Sequence, residues 1–156
     1  MENYKTQAEY NVCYLNEIKG RDILEPRLKQ KNVNYRFTEN KMDPYDVETD
    51  NSIIEIKTRN FDENKLTNFY NSELFLELNK YNSLIREAKK LNKKPIYCCI
   101  LEDYIYYFNL NDIDINTIKI QERWVYNFVN QSKWTNTKKK MILLNIRKEK
   151  FSKIKR

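Results

Sequence analysis

Asp46-Val47-Glu48-Thr49-Asp50-Asn51-Ser52-Ile53-Ile54-Glu55-Ile56-Lys57 is the stretch that decides how this chain folds. Asp50-Asn51 suits a two-residue loop between two strand-like runs. With those residues as the loop, register follows by counting outward. Thr49 then opposes Ser52, Glu48 opposes Ile53, Val47 opposes Ile54 and Asp46 opposes Glu55. Directly opposed residues share a face of the sheet, and Lys57, two residues beyond Glu55, shares it too. Tyr45, Val47, Ile54 and Ile56 fall on the opposite face and are available to a core. The pattern therefore gathers two acids and a lysine on one surface. Opposed carboxylates destabilise a hairpin. A divalent cation between them removes the repulsion, because Mg²⁺ takes oxygen ligands, commonly one or two carboxylates plus substrate phosphates. The plain alternative is a solvated hairpin face of alternating charge. With 33% of the chain charged, a Glu-x-Lys pair also arises easily by chance.

Composition narrows the chemistry. There is no histidine, which excludes Ser-His-Asp hydrolases, His-ligated zinc enzymes and a histidine general base. Gly20 is the only glycine, which excludes the P-loop and the dinucleotide-binding loop, both of which need several. A carboxylate–lysine metal site is among the few hydrolytic chemistries left. The three cysteines are Cys13, Cys98 and Cys99. An odd number with two adjacent points to buried free thiols in a reducing compartment, not to a disulfide framework or a zinc site. No apolar run reaches the roughly 18 residues of a membrane span, and the N-terminus lacks the apolar core of a secretion signal. No membrane partner is expected, and the location expected is intracellular, in the cytoplasm or nucleus of a host cell. Abundant Lys, Asn, Ile and Tyr suggest an AT-rich genome, viral, phage or microbial.

The 156 residues are expected to form one domain, 1–156, with a basic C-terminal segment. A chain of that size buries roughly 68–70% of its unfolded surface. Net charge is +7, and it is lopsided: residues 138–156 hold nine Lys and Arg against a single Glu, so the remainder is close to neutral. A basic end on a near-neutral body suits a polyanion, with Lys138, Lys139, Lys140, Arg147 and Lys148 as candidate phosphate contacts. A solubilising tail is the ordinary alternative.

Along the chain, residues 12–31 read mainly helical, with Val12, Leu15, Ile18, Ile23, Leu24 and Leu28 apolar. Gly20 and Pro26 argue against one continuous helix, and Asp22 with Glu25 three residues on has capping-box spacing. A short strand is expected at 34–38 and the hairpin at 45–49 and 53–58. A long helix follows, capped by Ser72, with Leu74, Leu78, Tyr81, Leu84, Ile85, Ala88 and Leu91 apolar, and Lys93-Lys94-Pro95 ends it. Strands are expected at 96–101, 104–110 and 141–146, and a short amphipathic helix at Trp124, Val125, Phe128 and Val129. Trp124 and Trp134 are expected to be core anchors.

This order of elements, together with Pro44-Tyr45-Asp46 through Glu55-Ile56-Lys57, resembles the PD-(D/E)XK nuclease superfamily over about residues 15–110. The resemblance implies an α/β, restriction-endonuclease-like αβββαβ core, a central mixed sheet flanked by helices. It places the family's metal-binding Asp on Asp46, its second acid on Glu55 and its catalytic Lys on Lys57, with the carbonyl of Ile56 as a further ligand. Many members carry a Glu on the first helix a few residues after a glycine. Glu25 fits that position and Glu17 is the rival. Asp43 is a second upstream acid, disfavoured because it falls on the face opposite Glu55. Pro44 is not adjacent to Asp46, a tolerated departure. Arg59 continues the Glu55–Lys57 face towards phosphate, and Lys80 lies where members carry a polar group on the second helix.

The function these readings imply is a Mg²⁺- or Mn²⁺-dependent DNA nuclease of resolvase, recombination, repair or restriction type, with a homodimer as one arrangement. The alternatives are a basic nucleic-acid-binding module without catalysis and an RNA endonuclease of the same superfamily.

Overall fold

In the computed structural model of the chain the backbone is described for residues 2–40, 42–130 and 133–156, and the side chains for 15–40, 42–125 and 137–156. The elements run α1 (Glu2–Gln30), β1 (Tyr35–Phe37), β2 (Val47–Thr49), β3 (Ser52–Thr58), α2 (Glu63–Phe69), β4 (Glu73–Glu77), α3 (Leu78–Leu91), β5 (Lys94–Ile100), β6 (Tyr104–Asn109), β7 (Lys119–Asn130), β8 (Lys133–Asn145) and β9 (Ser152–Lys155). Six strands form a mixed sheet in the order β1-β2-β3-β5-β6-β9, and three form a second sheet, β4-β8-β7.

β3 is covered on both sides: Ile53, Ile54 and Ile56 are all buried. It pairs antiparallel with β2, Val47 opposite Ile54 and Glu48 opposite Ile53, the register counted from the Asp50-Asn51 loop. Its other neighbour, β5, runs parallel, Ile56 beside Cys98. Apolar runs without polar alternation are what a strand buried on both faces requires. Below the sheet, Leu24 and Leu28 of α1 pack with Val47, Ile54, Ile56, Cys98, Ile100 and Ile105. Above it, Tyr81, Leu84 and Ala88 of α3 pack with Ile53, Tyr97, Tyr106 and Phe108, and with Leu74, Leu76, Ile142 and Leu144 of the second sheet. Cys98 and Cys99 are buried free thiols.

Four local expectations are corrected. α1 is continuous through Gly20 and Pro26. Gly20 is not a terminator but the point where the helix touches β3: a Cβ there would meet Ile56 Cγ2 and Thr58 Oγ1, each at 2.8 Å. Residues 73–77 form a strand, because Leu74 and Leu76 alternate inward with Glu73, Phe75 and Glu77 between them. Ser72 caps no helix; it sits at a φ of 62° and its buried hydroxyl has no hydrogen-bond partner. The short helix expected around Trp124 is a segment of β7, a run of β-branched and aromatic residues paired with β8 from Lys119 to Asn130. Trp124 is no core anchor, being 67% exposed with Lys138 Nζ 5.2 Å from its ring centroid. The side chains of Val12, Cys13, Phe128, Val129 and Trp134 lie outside the described residues.

The basic end is likewise no free tail. β9 closes the edge of the main sheet by pairing with β6, Ile105 opposite Ile154. Lys153 Nζ lies 2.8 Å from Glu63 Oε2, and the Arg156 amide donates to the Asp103 carbonyl at 2.9 Å. Among the described residues, no helix is long and apolar enough to cross a membrane.

Two outcomes follow. Gly20→Ala gains about 1 kcal/mol of helix propensity, but overpacking a tight interface typically costs about 1–3 kcal/mol. Both 2.8 Å contacts are with the strand that holds the sheet together, so a net loss of up to about 2 kcal/mol is expected in urea unfolding. Deleting residues 147–156 removes β9 and exposes the β6 edge, so it should lower the melting temperature by several degrees, which differential scanning fluorimetry would read. An unchanged melting temperature would show that the edge pairing contributes nothing.

Candidate active site

Beyond Ile54 the face of β3 that looks towards α3 stops being apolar and presents Glu55, Lys57 and then Arg59. Here the sheet opens into a cleft of about 410 Å³ lined by Glu17, Asp43, Asp46, Glu55, Lys57 and Lys80, among others. A second lobe of about 390 Å³ shares Glu55, Lys57, Arg59 and Lys80 and extends to Phe75, Tyr97, Val125 and Met141.

Asp46 reaches this cleft by leaving the hairpin ladder. Its amide donates to the Ile54 carbonyl at 2.9 Å, and its Oδ2 accepts the Ile56 amide at 2.7 Å. The carboxylate is thereby fixed against the backbone of the strand that carries Glu55. Strict alternation ends at this point, so Tyr45 packs against the α3-side core instead of joining Val47 on the α1 side. Its hydroxyl donates to Glu48 Oε2 at 3.2 Å. Thr38 holds the same corner, its amide donating to the Asp46 carbonyl at 2.9 Å.

Glu55 is the unusual group. Burial, reinforced by the negative charge of Asp46 and opposed by Lys80 and Lys57, pushes its carboxyl up from 4.5 to about 8. Lys80 Nζ lies 3.2 Å from Oε2, yet off the direction a hydrogen bond needs, so that buried oxygen has no hydrogen-bond partner. A buried carboxylate oxygen without a hydrogen bond is expensive even beside an ammonium group. Beside a second carboxylate, its chemistry suits a hard cation. Among the described residues, no group of three or more His, Cys, Asp or Glu is clustered to hold an ion. The donor set is two carboxylates with the nearby Ile56 backbone. That fits Mg²⁺, which keeps several waters and shares substrate phosphates, better than a closed protein cage. Lys57 is exposed at the mouth of the cleft.

The helix acid in the cleft is Glu17, not Glu25. Gly20 marks the face of α1 that meets β3, and Glu17 lies one turn earlier on that face. Glu25, five residues after Gly20, is turned about 140° away. Its Oε1 accepts the Tyr35 hydroxyl at 2.6 Å, and Lys29 stands 3.5 Å from it. Glu17 pairs with Arg21 at 3.1 Å, and Arg21 also donates to the Thr38 carbonyl at 2.9 Å. Asp43 also lines the cleft: residues 42–44 form a turn, so the face argument against it does not apply.

Of the expected phosphate contacts, Arg59 and Lys80 line the cleft. Lys138, Lys139, Lys140, Arg147 and Lys148 do not. Lys139 pairs with Glu77, itself a wall of the second lobe, at 2.8 Å. Lys140 is exposed opposite Glu122. Arg147 and Lys148 are exposed in the turn after β8.

No protein-family model and no curated protein sequence matches the chain. Among solved structures it is similar to Hjc, a Holliday junction resolvase from the archaeal hyperthermophile Archaeoglobus fulgidus, at a TM-score of 0.50 and 12% identity. The match covers 81% of this chain and 88% of the resolvase. The fold is therefore restriction-endonuclease-like, a central mixed sheet flanked by helices.

The state of Glu55 sets a pH dependence for the metal-free protein. Between pH 4.5 and about 8 the folded chain holds a proton that the unfolded chain has released. The stabilisation is therefore full below pH 4.5 and is lost as pH rises through about 8. Urea midpoints in EDTA should fall across that window, Glu55→Gln should flatten the fall, and Mg²⁺ should restore stability at the alkaline end, where the cation replaces the proton. A flat profile in the unsubstituted protein would show that Glu55 is solvated.

Proposed function

We propose that the chain is a divalent-metal-dependent nuclease of the PD-(D/E)XK superfamily that hydrolyses phosphodiesters in DNA, of resolvase type. The observation that carries this is the buried, hydrogen-bond-free oxygen of Glu55 beside Asp46 at the mouth of a cleft that also holds Lys57. The likeness in fold to an archaeal Holliday junction resolvase supports the same reading.

Asp46, Glu55 and the carbonyl of Ile56 would hold Mg²⁺ or Mn²⁺, in a cleft that Glu17 also lines. Bound there, the ion supplies Lewis-acid polarisation of the phosphodiester and lowers the pKa of a bound water. The protein's part is positional. The Ile56 amide fixes the Asp46 carboxylate at 2.7 Å. Lys80 holds Glu55 in place as an ionised partner at 3.2 Å. Lys57 stands on the Glu55 face without an ion pair among the described residues, free to orient the attacking water and to balance charge developing on phosphorus. No covalent enzyme intermediate is required. A four-way junction has two-fold symmetry, and a homodimer would present two such clefts to it.

The test is incubation with four-way-junction, linear duplex and single-stranded DNA, and with RNA, in Mg²⁺, Mn²⁺ or EDTA. Metal-dependent cleavage preferring the junction is expected. Binding without cleavage would leave a nucleic-acid-binding module, and cleavage confined to RNA would make the protein a ribonuclease of the same fold. Lys57→Ala should lower turnover by about 10²-fold or more, on the scale of losing one charge-stabilising donor. Asp46→Asn should lose activity and metal affinity together, while metal-free stability holds or rises. The amide oxygen still accepts the Ile56 N–H, and the repulsion with Glu55 is gone. Full turnover by either variant would show the site to be elsewhere.

A further inference from the structure

The lobe of the cleft away from Asp46 has Arg59 and Phe75 in its wall, and a second guanidinium, that of Arg123, stands against the same Phe75 ring. Arg59 Cζ stands 4.2 Å from the Phe75 ring centroid and Arg123 Cζ stands 4.7 Å from it. Arg59 comes from the end of β3 and Arg123 from β7, so the two elements meet across Phe75 of β4. Val125, two residues beyond Arg123 on the same face of β7, lines this lobe with Met141.

These arginines differ from the other cations nearby. Lys80 is paired with Glu55 and Lys139 with Glu77. Neither Arg59 nor Arg123 has a carboxylate partner among the described residues. Arg59 donates to the Phe75 carbonyl at 3.1 Å, and its Nε is buried without a hydrogen-bond partner. Among the described residues Arg123 donates only to the neutral Gln121 side chain, at 3.2 and 3.3 Å, and it stands directly opposite Lys139 in the ladder. Like charges opposed across strands destabilise a sheet. A second guanidinium on the same ring adds positive charge at Phe75, and an anion bound there would offset it. A planar guanidinium resting on a ring keeps N–H edges free for forked contacts, the geometry that suits phosphate oxygens. The lobe is also continuous with the acid pair through Glu55, Lys57 and Arg59.

We propose that this lobe is a subsite for a DNA phosphodiester neighbouring the one cleaved, held by Arg59 and Arg123, so that the substrate strand runs from the acid pair to the β7–β8 hairpin. The inference rests on the nuclease reading for the word "neighbouring" and on the cleft's own geometry for the contact. The hairpin thereby becomes one wall of the substrate channel, and Arg123 is a binding residue that no sequence motif marks.

The test uses the full chain and a labelled four-way junction. Binding is followed by fluorescence anisotropy in EDTA over a salt series, and cleavage is followed in Mg²⁺. Arg123→Gln should weaken binding about tenfold and lower the slope of log affinity against log salt by about one, the share of one phosphate contact. In cleavage its KM should rise more than its kcat falls. Lys94→Gln, an exposed cation at the opposite end of β3's neighbour, is the control for loss of general charge and should change neither measurably. A scan of single methylphosphonates, each deleting one phosphate charge, should show one position near the cleaved bond whose penalty disappears in Arg123→Gln. Arg123→Lys should recover part of the affinity but not the whole, because the fork is lost.

The proposal is overturned if Arg123→Gln matches Lys94→Gln in affinity and salt slope, if every methylphosphonate penalty is the same in both backgrounds, or if the protein binds no DNA. Junction binding without cleavage in either metal would overturn the nuclease reading alone. The anisotropy and methylphosphonate scan would still judge this subsite.

Discussion

β3 has to satisfy two cores at once, and the rest of the molecule is arranged around that demand. Its even-numbered residues meet α1 and its odd-numbered residues meet α3 and the second sheet. Period-two alternation cannot separate polar from apolar in such a strand, so Ile53, Ile54 and Ile56 are all buried. The only place left for charge is where one covering layer ends. On the α3 side the cover stops after Ile53, and Glu55, Lys57 and Arg59 follow. The site is thus the open edge of a core, which is why Glu55 is largely covered and Lys57 exposed.

That position sets the electrostatics. A carboxylate in water would remain ionised near neutrality. Glu55 instead sits where burial and Asp46 both oppose its charge, and Lys80 and Lys57 only partly offset them. The fold tolerates this because the rest of β3 is held firmly by hydrogen bonds to β2 and β5 and by the close approach of α1 at Gly20. Thr58 Oγ1 adds a bond to the Asn16 carbonyl at 3.1 Å, tying that helix to the strand one residue beyond Lys57. Local strain of this kind persists only where the surroundings over-determine it, and such sites are where function concentrates.

Much of this was legible in the sequence because it depended on local rules. The Asp50-Asn51 loop gave the β2–β3 register, and the register put Glu55 and Lys57 on one face. The unreadable parts depended on tertiary contacts. Gly20 looks like a helix breaker until β3 is placed against it, and seeking an acid that follows a glycine favoured Glu25 over its rival Glu17, the one that lines the cleft. Leu74 and Leu76 satisfy a helical stripe and a strand alternation equally well, and pairing with Ile142 and Leu144 decides for the strand. Trp124 read as a core residue because tryptophan is commonly buried. It is exposed on the face of β7 opposite Arg123 and Val125, with Lys138 beside its ring. Arg123 had no signal at all: a single arginine in a long strand acquires meaning only when the same ring is found under Arg59.

The basic C-terminal segment, residues 138–156, changes character once its structure is known. Its charge suits a polyanion when counted along the sequence, yet much of it is committed to the protein itself. Lys139 neutralises Glu77, Lys153 neutralises Glu63, and Arg156 donates from its guanidinium to the Leu101 carbonyl at 3.0 Å. β9 supplies an edge to the main sheet, and β8 supplies the strand that holds β4 and β7 together. Charge counted along a sequence therefore overstates what is available to a ligand. The cations left without a carboxylate near the cleft come from the end of β3 and from β7, two elements far apart in the chain that meet at Phe75. The second sheet, which at first looks like an addition to a nuclease-like core, is what brings them together.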